Sequence, residues 1–393
     1  MSQDPSTLAL PGWTPGTLDI HHLDTGCGSA TFIIGPDGTA ILLDCGTTKD
    51  DPAGSSSGTQ PRSSRRPGQR VADYAMRHSG SKILDYLIAT HVHPDHVGEV
   101  HSDKTAKGDG FQLTGLSDVD HLMPATLVID RAYPDYGLLP PLSAQFTTNH
   151  TAWLAARARS GRQVAKIDVG SDSQIRLRTA EDYPTFSIRT LAANGNIWTG
   201  TGQDSRSLFP DLGTLPSTAQ PDENKCSMAF LLSYGRFRYY TGSDLTFDTR
   251  DGRYPWMDVE TPVARVAGQV DVATANHHGY FDACGPNFVN LLNAAAYIIP
   301  AWHVTHPGMA QLQRLLGAWP GMSRRHVFAT RLAPENCKIN ERFTSEMRSL
   351  QGHVVVRVLP GGDSYRIFVL DSGNEDDQVT ASYGPYLSGS RVE

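Results

Sequence analysis

The sequence predicts an α/β fold with two similar halves, a four-layer αββα sandwich in which two β-sheets pack face to face between helices. Short apolar runs of strand length alternate with amphipathic helical segments, and a series of strands followed by helices occurs twice along the chain. Histidine and acidic residues directly follow several of the apolar runs. This pattern is typical of a site at the carboxyl ends of strands, at the seam between the two sheets.

Composition indicates a packed globular chain. The 393 residues are 39% hydrophobic and 19% charged, enough for one large domain or two ordinary ones, and no apolar run of about 18 residues predicts a membrane span. The net charge of −7 gives no general attraction to nucleic acid. A nucleic-acid substrate would therefore need a local basic groove. The residues that could form this groove are Arg62, Arg65, Arg66, Arg131 and Lys225. The alternative is that these five are scattered, solvated charges.

Five scattered cysteines do not form a disulfide scaffold, although one bridge between Cys27 and Cys45 is an alternative. The N-terminal residues have neither the basic nor the apolar region of a signal peptide. We therefore expect a cytoplasmic protein by default, or a secreted or periplasmic one if a leader has been removed. The sequence does not predict an oligomeric state.

Hydrophobic pattern and turn residues place the elements. We predict an irregular N-terminal arm over 1–16, loops over 48–68 and 199–222, and a polar, frayed C-terminal tail over 372–393. Helices are predicted around Val71–His78 and over 152–160, 286–296, 308–317 and 340–350. Strands are predicted over 17–24, 29–34, 39–44, 83–89, 126–130, 175–179, 185–193, 228–234, 236–241, 270–275, 296–301, 326–331, 353–359 and 365–370.

The strongest chemical signal follows the strand over 83–89. His91, His93, Asp95 and His96 come directly after this buried run, and Pro94 is expected to exclude a helix and to hold them on a tight loop. Imidazole and carboxylate are ligands that zinc and similar divalent ions prefer. The spacing lets His91 and His93 bind one ion while Asp95 and His96 bind a second. The alternative is a polar surface loop that holds histidines by chance.

The pattern His-x-His-x-Asp-His after an apolar strand resembles the signature of the metallo-β-lactamase-fold hydrolases, whose fold is the four-layer αββα sandwich. The resemblance implies two divalent metal ions, with Zn²⁺ preferred and Mn²⁺ as the alternative. It implies that Asp44 supports the metal loop through hydrogen bonds without binding metal, and that Asp244 bridges the two ions. It also implies a last histidine ligand in the pair that follows the strand over 270–275; we choose His277, with His278 as the alternate.

One departure from the family pattern narrows the prediction. The stretch 224–229 has no histidine where many members place a third ligand of the first metal, so that site is left with His91, His93, Asp244 and solvent or a neighbour such as Asn224. This argues against β-lactamase and glyoxalase functions. The chain instead resembles the branch of competence DNA-uptake proteins and phosphorylcholine esterases, and the elements that recur there are Asn224 with Ser227, Thr241–Asp244, His277–Gly279 and His306 with Pro307.

The branch resemblance implies a hydrolase that uses a water activated by two metals on phosphodiesters, in a small molecule or a polymer. In this hypothesis Asp95 or Asp244 accepts the proton of the nucleophile, while His278 or His306 protonates the leaving group or holds a substrate oxygen. Asn224, Ser227 and His303 are predicted substrate contacts. The alternatives are hydrolysis of carboxylic esters, lactones or amides, β-lactams included, and a non-catalytic scaffold.

The resemblance places residues 17–371 in a single catalytic domain. The segment of about 101–165 is longer than in a minimal member of the family, so we expect an insertion over the mouth of the site. Its aromatic residues form either a substrate pocket or, as we prefer, a core: Tyr133, Tyr136, Phe146, His150 and Trp153.

Overall fold

The computed structural model describes residues 9–48, 65–100, 110–319 and 324–390. Arg62 lies outside these ranges, as do most of the predicted loop 48–68, the first residues of the predicted arm, the first residues of the predicted insertion and the end of the predicted tail. The α-helices are α1 (Pro67–Ser79), α2 (Pro94–Val97), α3 (Leu116–Leu122), α4 (Gln145–Arg159), α5 (Glu260–Ala267), α6 (Pro286–Leu292), α7 (Met309–Leu315), α8 (Pro334–Ile339) and α9 (Glu341–Thr344).

The strands form two large mixed sheets. In chain order the strands are β1 (Leu18–His22), β2 (Thr31–Ile34), β3 (Ala40–Leu43), β4 (Leu84–Ala89), β5 (Ala125–Asp130), β6 (Gln163–Lys166), β7 (Phe186–Ala193), β8 (Asn196–Trp198), β9 (Ser205–Ser207), β10 (Ala229–Tyr234), β11 (Phe237–Thr241), β12 (Val272–Thr274), β13 (Ala296–Ile299), β14 (His326–Ala329), β15 (His353–Val358), β16 (Ser364–Leu370) and β17 (Val379–Leu387).

The two sheets repeat one plan. Within the described residues the first sheet has the order β17-β16-β15-β1-β2-β3-β4-β5-β6, and the second has β14-β13-β12-β11-β10-β7-β8-β9. In each sheet antiparallel strands lead to a parallel run, which is β3 to β6 in the first and β11 to β14 in the second. The carboxyl ends of parallel strands meet at one edge of a sheet, so residues that follow these strands are gathered there.

Alternating side chains divide the apolar residues into three layers of core. Along β3, Ile41 points into the core between the sheets and Leu42 points to the opposite face. Phe230 and Tyr239 of the second sheet meet the first sheet in the central core, whereas Tyr240 points outward. Helices α1, α3 and α4 cover the outer face of the first sheet, and α5, α6 and α7 cover that of the second. The predicted four-layer α/β architecture is therefore present.

The predicted frayed tail is wrong over Val379–Leu387. Strand β17 pairs antiparallel with β16 and forms the edge of the first sheet. Tyr383 and Tyr386 pack against the central core from this strand, although its other side chains are largely exposed. A half-exposed edge strand needs few apolar residues, so its polar composition hid it.

Several predicted elements need correction. The stretch 175–179 is not a strand; Ile175 and Leu177 are buried from an irregular segment, and the strand that extends the sheet is β6. Helix α4 begins at Gln145, earlier than predicted, and the helix expected over 340–350 is replaced by the short helices α8 and α9. Pro94 does not exclude a helix, because it occupies the first position of α2, where a missing N–H is tolerated. The loop expected over 199–222 contains the short strand β9.

Much of the expected insertion belongs to the main layers. Its described part supplies β5 and β6 to the first sheet and α3 and α4 to the helical layer. Trp153 is buried in that layer, and His150 lies in it with Nε2 2.9 Å from Asp130 Oδ2. Tyr133, Tyr136 and Phe146 pack against the same core, which agrees with the preferred core hypothesis. Cys27 and Cys45 are both buried and are not joined by a disulfide bond. Across the described residues, no helix has the length and apolar character needed to cross a bilayer.

His22 makes the stability of this sandwich sensitive to acid. Burial lowers the pKa of His22 from 6.5 to about 3, with a further lowering from neighbouring His21. A folded-state pKa below the unfolded one gives a stabilising contribution that is present above pH 6.5 and is lost as the pH falls toward 3. Between pH 6 and pH 4, the unfolding free energy of the wild type should fall with decreasing pH more steeply than that of His22→Gln, by about 1.4 kcal/mol per pH unit. Denaturant titrations at several pH values measure this slope, with exposed His121→Gln as the matched control. Equal slopes for wild type and His22→Gln would contradict the prediction.

Candidate metal centre

The residues of the candidate centre follow parallel strands of both sheets. His91 and His93 come after β4, and Asp95 and His96 lie on the single helical turn α2 that follows. Asp244 comes after β11, and His278 comes after β12. Because β4, β11 and β12 run parallel to neighbouring strands and end at the seam, their C-terminal loops meet there.

One group of donors consists of His91, His93 and Asp244, whose ligand atoms lie within 4.8 Å of one another. His91 Nε2 is 3.1 Å from His93 Nδ1 and 3.7 Å from Asp244 Oδ2. His91 and Asp244 are buried, whereas His93 is partly exposed. The structure therefore brings together the three residues predicted for the first metal.

A second group consists of Asp95, His96, Asp244 and His278, again within 4.8 Å of one another. His96 Nε2 is 3.2 Å from Asp244 Oδ1 and 3.6 Å from Asp95 Oδ2. His278 Nε2 is 3.2 Å from Asp95 Oδ2 and 3.4 Å from Asp244 Oδ2. Asp244 is shared with the first group, which is the arrangement expected of a bridging carboxylate.

Burial and charge oppose each other within this centre. Burial alone would lower the pKa of His96 and His278, but the carboxylates of Asp244 and Asp95 outweigh it and raise the pKa of His278 to about 9 and that of His96 well above its usual value. Burial would likewise raise the pKa of Asp244, and the surrounding imidazoles, led by His278 and His96, hold it well below its usual value. The buried groups thus depend on one another for charge balance.

The donor atoms fit divalent cations. His96 Nε2, His278 Nε2 and Asp244 Oδ1 are buried, and their contacts of 3.2–3.4 Å within the group do not have the geometry of hydrogen bonds. Orphaned polar atoms of this kind are rare, because each costs about 1–3 kcal/mol when it stays unsatisfied. They converge from separate loops, and their set of imidazole nitrogen and carboxylate oxygen suits zinc and related ions.

Asp44 supports the loop after β4, in the place where the sequence predicted support. Its carboxylate accepts hydrogen bonds from Thr90 N at 2.9 Å and Thr90 Oγ1 at 2.6 Å. Its Oδ2 also lies 2.8 Å from His96 Nδ1, and accepting that N–H leaves Nε2 of His96 to point into the second group. Asp44 is not in either donor group. Gly46, two residues on, lies so close to the backbone of Asp95 that a Cβ atom would overlap its carbonyl.

Glu223 provides a second support, which the sequence did not predict. Its Oε1 accepts a hydrogen bond from Val92 N at 2.8 Å, between the two histidines of the first group. Both of its oxygens also accept from the guanidinium of Arg131, at 2.7 and 2.6 Å. Glu223 lies in a loop 131 residues after Val92, so no local sequence pattern predicts that the two are in contact. Its position next to Asn224, a predicted site residue, is the one feature of the sequence that places Glu223 near the centre.

The geometry favours the alternate of the two adjacent histidines. His277 was our first choice of ligand, but the donor group contains His278 instead. His277 Nε2 lies 3.9 Å from Asp244 Oδ2, and its Nδ1 is 2.7 Å from Asp282 Oδ1. Both histidines have positive φ angles, 43° for His277 and 56° for His278, so the chain turns sharply enough to direct neighbouring rings to different partners.

A buried carboxylate holds the turn that carries these histidines. Glu260 accepts hydrogen bonds from Cys284 N at 2.8 Å, Gly285 N at 2.7 Å and Asn276 Nδ2 at 3.0 Å. Burial raises the pKa of Glu260 to about 8, although the N–H donors act to lower it. Glu260 therefore joins α5 to both ends of the segment 276–285.

His306 lies behind the second group, and His303 lies farther out. The His306 ring is 5.1 Å from that of His278 and 4.9 Å from that of Trp302, measured between centroids. Burial lowers the pKa of His306 well below its usual value, and His278 adds to the lowering. The partly exposed His303 stacks on His306 at 5.6 Å, and its Nδ1 is 2.8 Å from Thr305 Oγ1. Neither histidine belongs to a donor group.

Asn224 and Ser227 lie on a short helical turn that contacts the centre from the other side. Asn224 Nδ2 is 3.2 Å from His277 Nε2. Asn224 Oδ1 and Ser227 Oγ are buried and have no hydrogen-bond partner among the described residues. Of the two predicted substrate contacts, Asn224 is thus placed beside the histidine pair.

The structure contradicts most of the predicted basic groove, because the described arginine and lysine residues of that groove have partners within the fold. Arg131 and Lys225 are buried, with exposed fractions of 0% and 1%. Arg131 pairs with Glu223, and Lys225 Nζ donates to Thr246 Oγ1 at 2.7 Å. Arg66 pairs with Asp118 at 2.6 Å, and Arg65 Nη1 is 3.0 Å from Glu375 Oε1. All four cations have partners within the fold, and Arg131 and Lys225 require them because a buried charge is costly without a partner.

Replacement of Asp44 tests its supporting role. Asp44→Ala removes the acceptor that fixes His96 and Thr90, so we expect metal affinity to fall about 10–100-fold. Competition with a chromophoric chelator for Zn²⁺ measures this loss. Asp37→Ala is the matched control, since Asp37 holds the hairpin turn by accepting from Thr39 N at 2.9 Å and lies outside both donor groups. An unchanged affinity in Asp44→Ala would show that the hydrogen bonds do not support the site.

The histidine pair gives a second test. We expect His278→Ala to lose one equivalent of bound metal after dialysis, because it removes a donor of the second group. His277→Ala should keep the metal of that group, because His277 lies outside it. Elemental analysis of the dialysed proteins measures the metal content. Loss of that metal from His277→Ala, with retention by His278→Ala, would restore our first choice.

Comparison with known proteins finds similarity over part of the chain. No curated protein sequence matches the chain. A solved structure of a CmlA β-hydroxylase mutant is 12% identical, with a TM-score of 0.40, and the match covers 88% of this chain and 54% of that one. The metallo-beta-lactamase fold protein YhfI from Bacillus subtilis is 10% identical, with a TM-score of 0.40 and coverage of 87% and 99%. Residues 24–102, which contain the loop after β4 and its support Asp44, match the family model of the metallo-beta-lactamase superfamily.

Proposed function

We propose that the protein is a metal-dependent hydrolase that binds two divalent cations, with zinc preferred over manganese, and acts on phosphodiesters. The observation that carries the proposal is the pair of donor groups joined by Asp244. The match of residues 24–102 to the metallo-beta-lactamase superfamily supports the same class of chemistry. When bound, two cations supply an activated water and positive charge that stabilises a developing oxyanion.

The residues of this chain divide the remaining work. Of the two carboxylates considered as proton acceptor, Asp95 is the accessible one, with 18% of its side chain exposed against 2% for Asp244. Asp95 therefore takes the proton of the attacking water in this proposal. His278 belongs to a donor group, so His306 is the remaining histidine that can hold a leaving oxygen; its Nδ1 has no hydrogen-bond partner among the described residues.

Phosphodiesters are favoured over carboxylic esters by the first donor group. It supplies three imidazole and carboxylate donors, and zinc can expand to five ligands, so a cation there can take a substrate oxygen even beside one additional neutral donor. A phosphodiester offers two non-bridging oxygens that two adjacent cations can bind at once, whereas an ester or lactone offers one carbonyl oxygen. Hydrolysis of carboxylic esters, lactones or amides is the second hypothesis, as in the sequence analysis.

Hydrolysis of bis(p-nitrophenyl) phosphate by the zinc- or manganese-loaded protein tests the proposal. We expect turnover that Asp244→Ala lowers by more than about 100-fold, since loss of a shared donor exceeds the effect of losing a supporting residue. Absorbance of released nitrophenolate is the measurement. Asp271→Ala is the control: Asp271 is similarly buried, but it precedes β12 and accepts from Arg238 N at 2.8 Å.

Other outcomes separate the alternatives. Turnover of a lactone or ester panel without phosphodiester turnover would replace phosphodiesters by the second hypothesis. Bound metal at both groups without turnover of either class would favour a scaffold that binds metal. Equal activity in Asp244→Ala and wild type would remove the centre from the reaction.

A further inference from the structure

The two donor groups differ in the number of protein donors. Four residues form the second group and three form the first, with Asp244 counted in both. Zinc in proteins has four ligands in closed sites, or three protein ligands with a water or substrate in the fourth position. Among the described histidine, cysteine and acidic residues, none adds a fourth donor to the first group. A further donor from the chain would therefore be a neutral oxygen, such as that of an amide.

The segment 223–228 lies directly against the loop that carries the first group. Glu223 accepts a hydrogen bond from Val92 N at 2.8 Å, and Met228 N donates to Thr90 O at 3.0 Å. The two contacts flank His91 on the loop and flank Asn224 on the segment. Asn224 is thus held beside the first group from both ends of its own turn.

A chain of hydrogen bonds orients the Asn224 amide. His277 Nδ1 lies 2.7 Å from Asp282 Oδ1, and the opposite nitrogen of the ring, Nε2, faces Asn224. The amide nitrogen of Asn224 donates to this Nε2 at 3.2 Å. The amide oxygen then faces away from His277, where it is buried and has no hydrogen-bond partner among the described residues.

We propose that Asn224 Oδ1 is the fourth protein donor of the first metal, and that His277 is a positioning residue that fixes the orientation of its amide. The inference rests on the proposed two-metal centre and deepens it. A neutral amide oxygen binds a cation more weakly than imidazole or carboxylate does. The first group is accordingly the weaker site and releases its cation first.

Metal titration of the full chain tests the donor. Two dissociation constants are measured by competition between a chelator and the protein for Zn²⁺, and Co²⁺ absorption reports the ligand field at each step. We expect Asn224→Leu to weaken the weaker constant by at least about 10-fold and to leave the tighter one unchanged. Asn224→Asp should keep or strengthen it, because a carboxylate replaces the amide oxygen.

Two controls separate the donor from its surroundings. Ser227→Ala should leave the weaker constant unchanged, although Ser227 Oγ is also buried and without a partner among the described residues. Asn149→Leu removes an amide that bonds to Gln112 N at 2.7 Å, away from both groups, and controls for the loss of an asparagine. A weaker constant that responds to Ser227→Ala and not to Asn224→Leu would overturn the assignment.

The positioning role of His277 has its own signature. An amide has one oxygen end and must be oriented, whereas the two oxygens of a carboxylate are equivalent. We expect His277→Phe to weaken the first site about 10-fold in the wild type and to have no such effect in the Asn224→Asp background. An equal loss in both backgrounds would overturn the positioning role.

The same titration distinguishes this inference from the proposed function. If the wild type binds two cations and all Asn224 variants bind them equally well, the inference fails and the two-metal hydrolase stands. If the wild type binds no cation, the proposed function fails and the inference fails with it.

Discussion

At the seam between the sheets, the Asp244 carboxylate is 2% exposed and lies 3.2–3.9 Å from imidazole nitrogens of several loops. Burying a charge costs several kcal/mol unless opposite charge and hydrogen bonds offset the loss of water. The loops after β4, β11 and β12 meet at this carboxylate, so the geometry of both donor groups depends on it. Without a positive partner these loops would bring an unbalanced anion into the core.

The same physical need explains the acidic residues around the centre. Asp44, Glu223 and Glu260 are buried, and each accepts hydrogen bonds from backbone N–H groups of a loop that carries donors or their neighbours. Asp44 holds the loop after β4 at Thr90 and at His96, and Glu223 holds it at Val92 between them. Glu260 holds the turn with the two histidines. A carboxylate suits this task because its two oxygens accept several N–H groups at once. Backbone N–H groups of these irregular loops thereby find acceptors that a sheet would otherwise supply.

Local patterns predicted the parts of the structure that depend on neighbours in sequence. The apolar runs of β3 and β4 and the histidines that follow β4 were all visible, as was the carboxylate of Asp44 at a strand end. Contacts between distant residues were not visible. Glu223 binds Val92 and Arg131 across a long separation, and nothing in its own loop distinguishes it from a solvated acid. The edge strand β17 was not predicted, because a strand with one exposed face and few apolar side chains has the composition of a polar tail.

The choice between His277 and His278 shows where sequence reasoning ends. Adjacent residues of identical chemistry differ only in the direction of their side chains, which is set here by positive φ angles at both positions. His278 points toward Asp95 and Asp244, while the ring of His277 lies between Asp282 and Asn224. The doubled histidine thus serves two tasks: one ring completes the second donor group, and the other joins that turn to the segment beside the first. Through this pair a hydrogen bond joins the turn of the second donor group to the segment beside the first, while Asp244 belongs to both groups.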